Sequence, residues 1–309
     1  MWNKQPSPFL ILAPMEGVTD LVFRQVILRA GRPDIFFTEF TNVSSYASKK
    51  GRENALSRLE IGPNENPIVA QIWGKNPDHF AETASALEDL GFDGLDINMG
   101  CPDKHVNKAG GGAAMIKTPE RAVECIQRAK SSTNLPVSVK TRLGFTYLNE
   151  YQDWLSTLLK QNLAALTVHL RTRKEMSKAP AHYELIPEII KLKNRLAPET
   201  KLIINGDIKD KAAANLLSQR YPEIAGFMIG RGVFENPFCF TNHQPSQEDL
   251  KNLFLYHLEL FDKKSRLPYD TLKHFFKVYF RDAPGSAELR NKLMQAKSTA
   301  ELREIINNL

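Results

Sequence analysis

The sequence predicts an α/β protein, a (β/α)8 TIM barrel followed by a small C-terminal helical domain, and three observations carry that expectation. Eight short apolar or β-branched runs recur along the chain, most of them precede a helix-like segment, and beyond about residue 240 only helical patterns remain. Near-continuous apolar strands alternating with helices imply parallel pairing with both sheet faces covered. A doubly wound open sheet is the alternative assembly of the same units.

In chain order the runs are FLILA, DIFFTEF, PIVAQIW, GLDIN, PVSVKT, AALTVHL, KLIIN and AGFMIG. The connection after the second, TNVSSYASKKGRENALSRLEIGPNEN, is the least clearly helical. NPDHFAETASALEDLG and TPERAVECIQRAK follow the third and fourth, with Asn76 and Thr118 as expected N-caps and Pro77 and Pro119 in the first turns. After GRGVFENPF the segment TNHQPSQEDL reads as a linker, so a catalytic barrel over 1–240 and a helical domain over 241–309 are expected. Within the tail, YDTLKHFFKVYFR places Leu272, Phe275, Phe276 and Tyr279 on one helical face, with Lys273, Lys277 and Arg281 as a basic stripe at i, i+4 and i+8. A basic stripe beside aromatics is the form of an RNA-contacting surface, and equally of a solvated helix face.

Composition excludes several classes. Of 309 residues, 42% are apolar and 25% charged, without low-complexity tracts, which rules out disordered and fibrous chains. No run approaches the roughly 18 apolar residues of a membrane span, and MWNKQPSPFL lacks a signal-peptide core, so a cytoplasmic protein is expected. Cys101, Cys125 and Cys239 are odd in number and far apart, which argues against a disulfide framework or a metal site; a monomer is expected. The net charge of +6 favours an anionic partner, although charge alone equally serves solubility.

The strand ends carry the chemistry. Where the runs stop stand Pro14 and Met15, Glu39, Gln71, Asn98, Lys140 and Arg142, His169, Asn205 and Asp207, then Gly230 and Arg231. In a barrel these converge on the C-terminal face, where such folds place their active sites and hold phosphate at the last two loops. NGDI and IGRG occupy those loops and offer glycine backbone to an anion, which suits a phosphorylated cofactor.

Six motifs together, LAPMEGVTD, DINMGCP, GGGAAMI, VSVKTRLG, NGDI and IGRG, resemble the tRNA-dihydrouridine synthases in order and spacing. The resemblance extends through LKHFFKVYF and PGSAELR, so it covers nearly the whole chain. It implies an FMN-containing barrel that uses NADPH to reduce the C5=C6 bond of particular uridines in tRNA. Three positions depart from the family pattern: Leu170 stands where glycine is usual, Ser177 where tyrosine is common, and His105 where many members have lysine.

Reduction of an isolated uracil double bond needs hydride at C6 and a proton at C5, and the proton must come from an acid. Cys101, just past the fourth strand and stiffened by Pro102, suits that role, because a thiol with a pKa near about 8.5 is mostly protonated at neutral pH. A buried cysteine packing as a small hydrophobe is the plainer reading, and it is the one for Cys125 and Cys239. The resemblance places Asn98 beside the uracil and Lys140 beside the flavin, where a cation stabilises the anionic reduced ring. Arg142 is expected at the uracil carbonyls or an RNA phosphate. His169 is assigned to the flavin or its ribityl phosphate, Gln71 to its polar edge, and the Pro14 and Met15 backbone to its face. Asn205, Gly206, Asp207, Gly230 and Arg231 are assigned to the ribityl and phosphate region. An FMN barrel acting on a free pyrimidine, similar to dihydroorotate dehydrogenase, shares most of this chemistry, but the basic tail argues for RNA. A non-catalytic RNA-binding barrel is a further class, against which Cys101, Lys140 and His169 argue.

Overall fold

Eight strands carry the fold in the computed structural model, which describes residues 1–281 and 285–308. They are β1 (Phe9–Leu12), β2 (Phe36–Asn42), β3 (Ile68–Trp73), β4 (Gly94–Met99), β5 (Val137–Arg142), β6 (Ala165–His169), β7 (Lys201–Asn205) and β8 (Gly226–Ile229). Their order is β1-β8-β7-β6-β5-β4-β3-β2, and every pairing is parallel. A parallel bridge between Ile11 and Ile35, just ahead of β2, joins the two ends and closes the barrel.

Alternation along each strand separates two cores. Trp2, Phe9, Ile11, Phe37, Val69, Ile203 and Met228 fill the barrel interior, with the Trp2 ring against Phe9 at 5.9 Å. The opposite faces, such as Leu95, Ile97 and Met99 of β4, pack into the larger core beneath the helices. The inward positions of β4 and β5 are therefore left to Asp96, Asn98, Ser138, Lys140 and Arg142.

The connections follow the expected chemistry with one exception. Asn76 caps the helix Pro77–Asp89 by accepting the Asp78 N–H at 3.0 Å. Thr118, with φ −135° and ψ 63°, lies outside the extended backbone from which a cap side chain reaches back, and Pro119–Lys130 begins without a side-chain cap. The connection after β2 holds two short helices, Val43–Ala47 and Arg52–Ser57.

Beyond the barrel, Gln247–Lys264, Ser286–Gln295 and Thr299–Asn307 are helical. Their apolar residues belong to the same core as the barrel helices, with the Phe275 ring tilted against Phe23 of helix Leu21–Ala30 at 4.8 Å. His257 and the Tyr279 hydroxyl, both buried, pair at 2.8 Å. The single amphipathic helix expected over residues 269–281 is not formed. Tyr269–Phe275 is a 3₁₀ segment that passes into a short α-helix, Phe276–Tyr279, so the angular step per residue changes between Lys273 and Lys277. Phe275 packs on Phe23 and Phe234, and Phe276 on Phe254 of the tail. The three cations of the expected stripe differ in their surroundings: Lys273 pairs with Asp270 at 2.7 Å, and Arg281 donates to the carbonyls of Lys277 and Phe234. Lys277 remains exposed and without an ion pair among the described residues.

Candidate active site

Register brings the inward polar residues together. Asn98 lies across from Lys140, and Arg142, His169 and Asn205 follow one another across β5, β6 and β7. They open into a cavity of about 410 Å³ at the C-terminal mouth, a volume within the range of small-molecule sites. Pro14 and Met15 close it from β1, Cys101 from the loop after β4, Gly206 and Asp207 from the loop after β7, and Gly230 and Arg231 from the loop after β8. Gln71 alone among the barrel residues assigned to the site is not in its wall. It is fully buried one layer deeper, where its amide donates to Asp96 at 2.7 Å and accepts from Asn98 at 2.8 Å.

Cys101 is held by its backbone. Its N–H is accepted by the Asn98 side chain at 2.9 Å, and its carbonyl accepts from the Asn107 amide at 2.8 Å and the Ala113 N–H at 3.0 Å. Gly112 makes the last bond possible. It has φ +58°, and a Cβ there would meet the Cys101 carbonyl at 2.8 Å. Burial pushes the thiol pKa up, ahead of the opposing influence of Lys140 and Arg142, so Cys101 is a protonated thiol at neutral pH. Cys125 and Cys239 are buried in the core.

The charge around that thiol is positive. Lys140 has no hydrogen-bond or ion-pair partner among the described residues, and desolvation followed by the Arg142 charge lowers its pKa to about 8. Arg142, 5% exposed, is not the surface ion pair that a strand-end arginine commonly makes: it donates to the carbonyls of Gly100, Thr172 and Met176 at 2.8, 3.0 and 2.8 Å. It thereby ties the β4 and β6 loops together. Burial, then the charges of Arg142, Lys140, Arg171 and Arg231, hold His169 well below its ordinary pKa, so the ring is neutral. Its Nε2 lies 3.1 Å from Arg171 Nη1, which can only donate, so the ring proton sits on Nδ1.

Arg171 is the residue that the sequence did not signal. Buried at 2% exposure, it donates to Asp207 and the Ala179 carbonyl as well as to His169. Asp207 also accepts from Arg231 at 2.9 Å and from the Ala181 N–H at 3.0 Å. Desolvation raises the Asp207 pKa, but those hydrogen bonds and the two guanidinium charges outweigh it and keep the carboxylate ionised. Asp207 is thus a spacer that aims two arginines. Asn205 spans to the Met228 carbonyl at 2.8 Å. Gly206 has φ +120°, and a Cβ on it would press on the His169 ring at 3.2 Å. Of the three departures, Leu170 is a core residue, His105 is exposed, and Ser177 lines the cavity.

The donor set fits an anionic phosphorylated ring cofactor. It offers an unpaired ammonium, a neutral imidazole N–H and a half-exposed guanidinium, and at Gly230 open space where the nearest atoms to an added Cβ are Ala13 at 3.6 Å and Met15 at 3.8 Å.

The family sequence model "Dihydrouridine synthase (Dus)" matches residues 11–308. "Probable tRNA-dihydrouridine synthase 2" of Bacillus subtilis is 49% identical, covering 99% of this chain and 95% of that one. "Probable tRNA-dihydrouridine synthase" of Staphylococcus epidermidis is 48% identical over 99% and 95%, and a Staphylococcus aureus protein of that name is 47% identical over 99% and 94%. Among solved structures, morphinone reductase in complex with tetrahydroNAD shares the fold, with TM-score 0.51, 13% identity and coverage of 74% of this chain and 84% of that one. Fold, site and relatives define a barrel oxidoreductase of the flavin-dependent class. The chain belongs to the dihydrouridine synthase family.

Proposed function

We propose that this chain is a tRNA-dihydrouridine synthase, reducing the C5=C6 bond of specific uridines in tRNA, with FMN as its bound cofactor and NADPH as reductant. The observation that carries the mechanism is a protonated thiol, Cys101, fixed beside an unpaired Lys140 in a cationic cavity. The relatives' names specify tRNA, which favours this substrate over a free pyrimidine. Lys140, His169, Asn205 and the Asp207-oriented Arg231 would hold FMN, which, reduced by NADPH, would supply the hydride for uracil C6.

The chain's own residues do the rest. As the π bond breaks and C6–H forms, negative charge develops at C5 and the adjoining carbonyl, and Arg142 and Lys140 stabilise it in a poorly solvated cavity. Cys101 gives its proton to C5, completing the second C–H bond. The thiolate left behind faces the same two cations and recovers its proton from water at the mouth. Neutral His169 donates from Nδ1 without adding a charge. Asn98, engaged with Gln71 and the Cys101 loop, keeps one amide hydrogen for the base.

A uridine inside folded tRNA must leave its stack to enter this cavity. Affinity then comes mainly from phosphate contacts and falls with salt, while tRNA shape selects the position. The test is direct. The purified protein should be yellow and release FMN on denaturation, and tRNA from cells lacking the gene should lose dihydrouridine at defined positions by mass mapping. Unchanged dihydrouridine at every position would overturn the assignment.

A further inference from the structure

Besides the exposed Lys277 of the tail, a ledge on the opposite side of the barrel mouth sets cations beside aromatic rings. The tail packs against Leu21–Ala30, the helix after β1, whereas the ledge is built by the connections after β4, β5 and β6, across the barrel. There Phe145 lies beneath two cations, with Lys117 Nζ 5.0 Å and Arg173 Cζ 5.3 Å from its ring centre. Tyr147 is 65% exposed, and Lys174 Nζ is 6.0 Å from its ring.

None of the ion pairs among the described residues includes Lys117, Arg173 or Lys174. Arg173 Nε is buried without a hydrogen-bond partner. The carboxylates nearby are committed elsewhere: Glu150 accepts the N–H groups of Phe145, Thr146 and Tyr147 at 2.6, 3.1 and 2.9 Å, and Glu175 accepts from Thr172 and lies against His182. Asp153 lines the hollow beside Lys117 and pairs with no cation among the described residues. Glu150 therefore presents Tyr147 outward, and the three cations carry no carboxylate partner among the described residues. Arg142 links this ledge to the cavity, since it donates to Thr172 and Met176 of the loop that carries Arg173 and Lys174.

We propose that this ledge is an RNA-contact surface, where tRNA phosphates lie against Lys117, Arg173 and Lys174 and an unstacked base packs on Tyr147. The inference rests on the tRNA reading given above and specifies how that substrate is held. Cations alternating with an exposed aromatic suit a strand that presents both phosphates and base faces. An acidic protein segment would use the charges but has less use for a bare ring with a cation stacked on it. With the tail on the other side, the RNA would span the mouth and deliver its flipped uridine between two holds.

The experiment measures binding of an unmodified tRNA transcript to the flavin-loaded full-length protein at several salt concentrations. Tyr147→Ala should weaken binding about tenfold, while Tyr147→Phe keeps it, because stacking needs only the ring. Lys117→Ala with Lys174→Ala should lower the slope of log affinity against log salt by about 1.4 to 1.8, one counterion contribution for each lost phosphate contact. Both variants should bleach with NADPH as wild type does, a check that the flavin site is intact. If wild type forms dihydrouridine while these variants match its tRNA affinity and salt slope, the ledge is not the contact surface. If wild type forms no dihydrouridine in any tRNA, the underlying function is wrong instead.

Discussion

The Asn98 side-chain oxygen accepts the Cys101 backbone N–H at 2.9 Å, and the same oxygen accepts the Gly100 N–H at 3.1 Å. One amide thus fixes the loop that presents the thiol, and Gln71, anchored on Asp96, fixes the amide. Asn98→Ala removes the acceptor for two N–H groups and the donor for Gln71. Activity should fall by about 10²-fold or more through misplacement of Cys101, and stability by about 1–3 kcal/mol. Dihydrouridine formation and urea unfolding measure the two effects. Activity within twofold of wild type would mean that the loop holds itself.

Arg231 is aimed by Asp207 at 2.9 Å, on the loop where the phosphate of FMN is expected. Arg231→Ala should lower the affinity for FMN about 10- to 100-fold, the usual worth of a hydrogen bond to a charged group. Titration of flavin-free protein with FMN, followed by fluorescence, reads this without any turnover. An unchanged affinity would remove Arg231 from the phosphate site.

His257 reports on the seating of the tail. Desolvation lowers its folded pKa to about 3, against an ordinary value near 6.5, so the unfolded chain binds the extra proton more tightly. Its contribution to stability is therefore complete above about pH 6.5 and is lost as pH falls towards 3, at up to about 1.4 kcal/mol per pH unit. Glu39 and Asp96, raised by burial to about 7 and about 6, work in the opposite sense across part of that range. They are common to wild type and His257→Gln, so the difference between the two proteins isolates the histidine. The wild-type advantage should shrink as the pH is lowered; parallel stability curves would contradict the buried neutral ring.

The parts of the fold legible in the sequence were those governed by local pattern. Apolar runs ending in Asn98, Lys140, His169 and Asn205 are strands whose last inward positions face the mouth, and the structure brings these side chains to one cavity. Gln71 was legible as an inward strand residue, but its depth depends on register: it pairs across with Asp96, one layer below Asn98. Arg171 had no signal, because it lies beyond the end of β6 and is held inward by partners that include Asp207, 36 residues away. The single helix over residues 269–281 was misjudged for a tertiary reason: Phe275 is seated on Phe23 in a segment of 3₁₀ geometry, which no helical period encodes. The exposed Tyr147 ledge was equally silent, as it joins loops from three separate stretches of chain.

Proton delivery from Cys101 to C5 is put to the test by a single-turnover comparison of wild type with Cys101→Ala. Both proteins are loaded with FMN, reduced anaerobically with NADPH, and mixed with unmodified tRNA, and dihydrouridine is counted by mass spectrometry against time. Cys101→Ala should bind FMN and bleach with NADPH at the wild-type rate, because the thiol takes no part in those steps. Its dihydrouridine formation should be slower by about 10² to 10⁴, the usual worth of a general acid. Formation at the wild-type rate by a fully bleached Cys101→Ala protein would contradict the account and move the proton donor to another group.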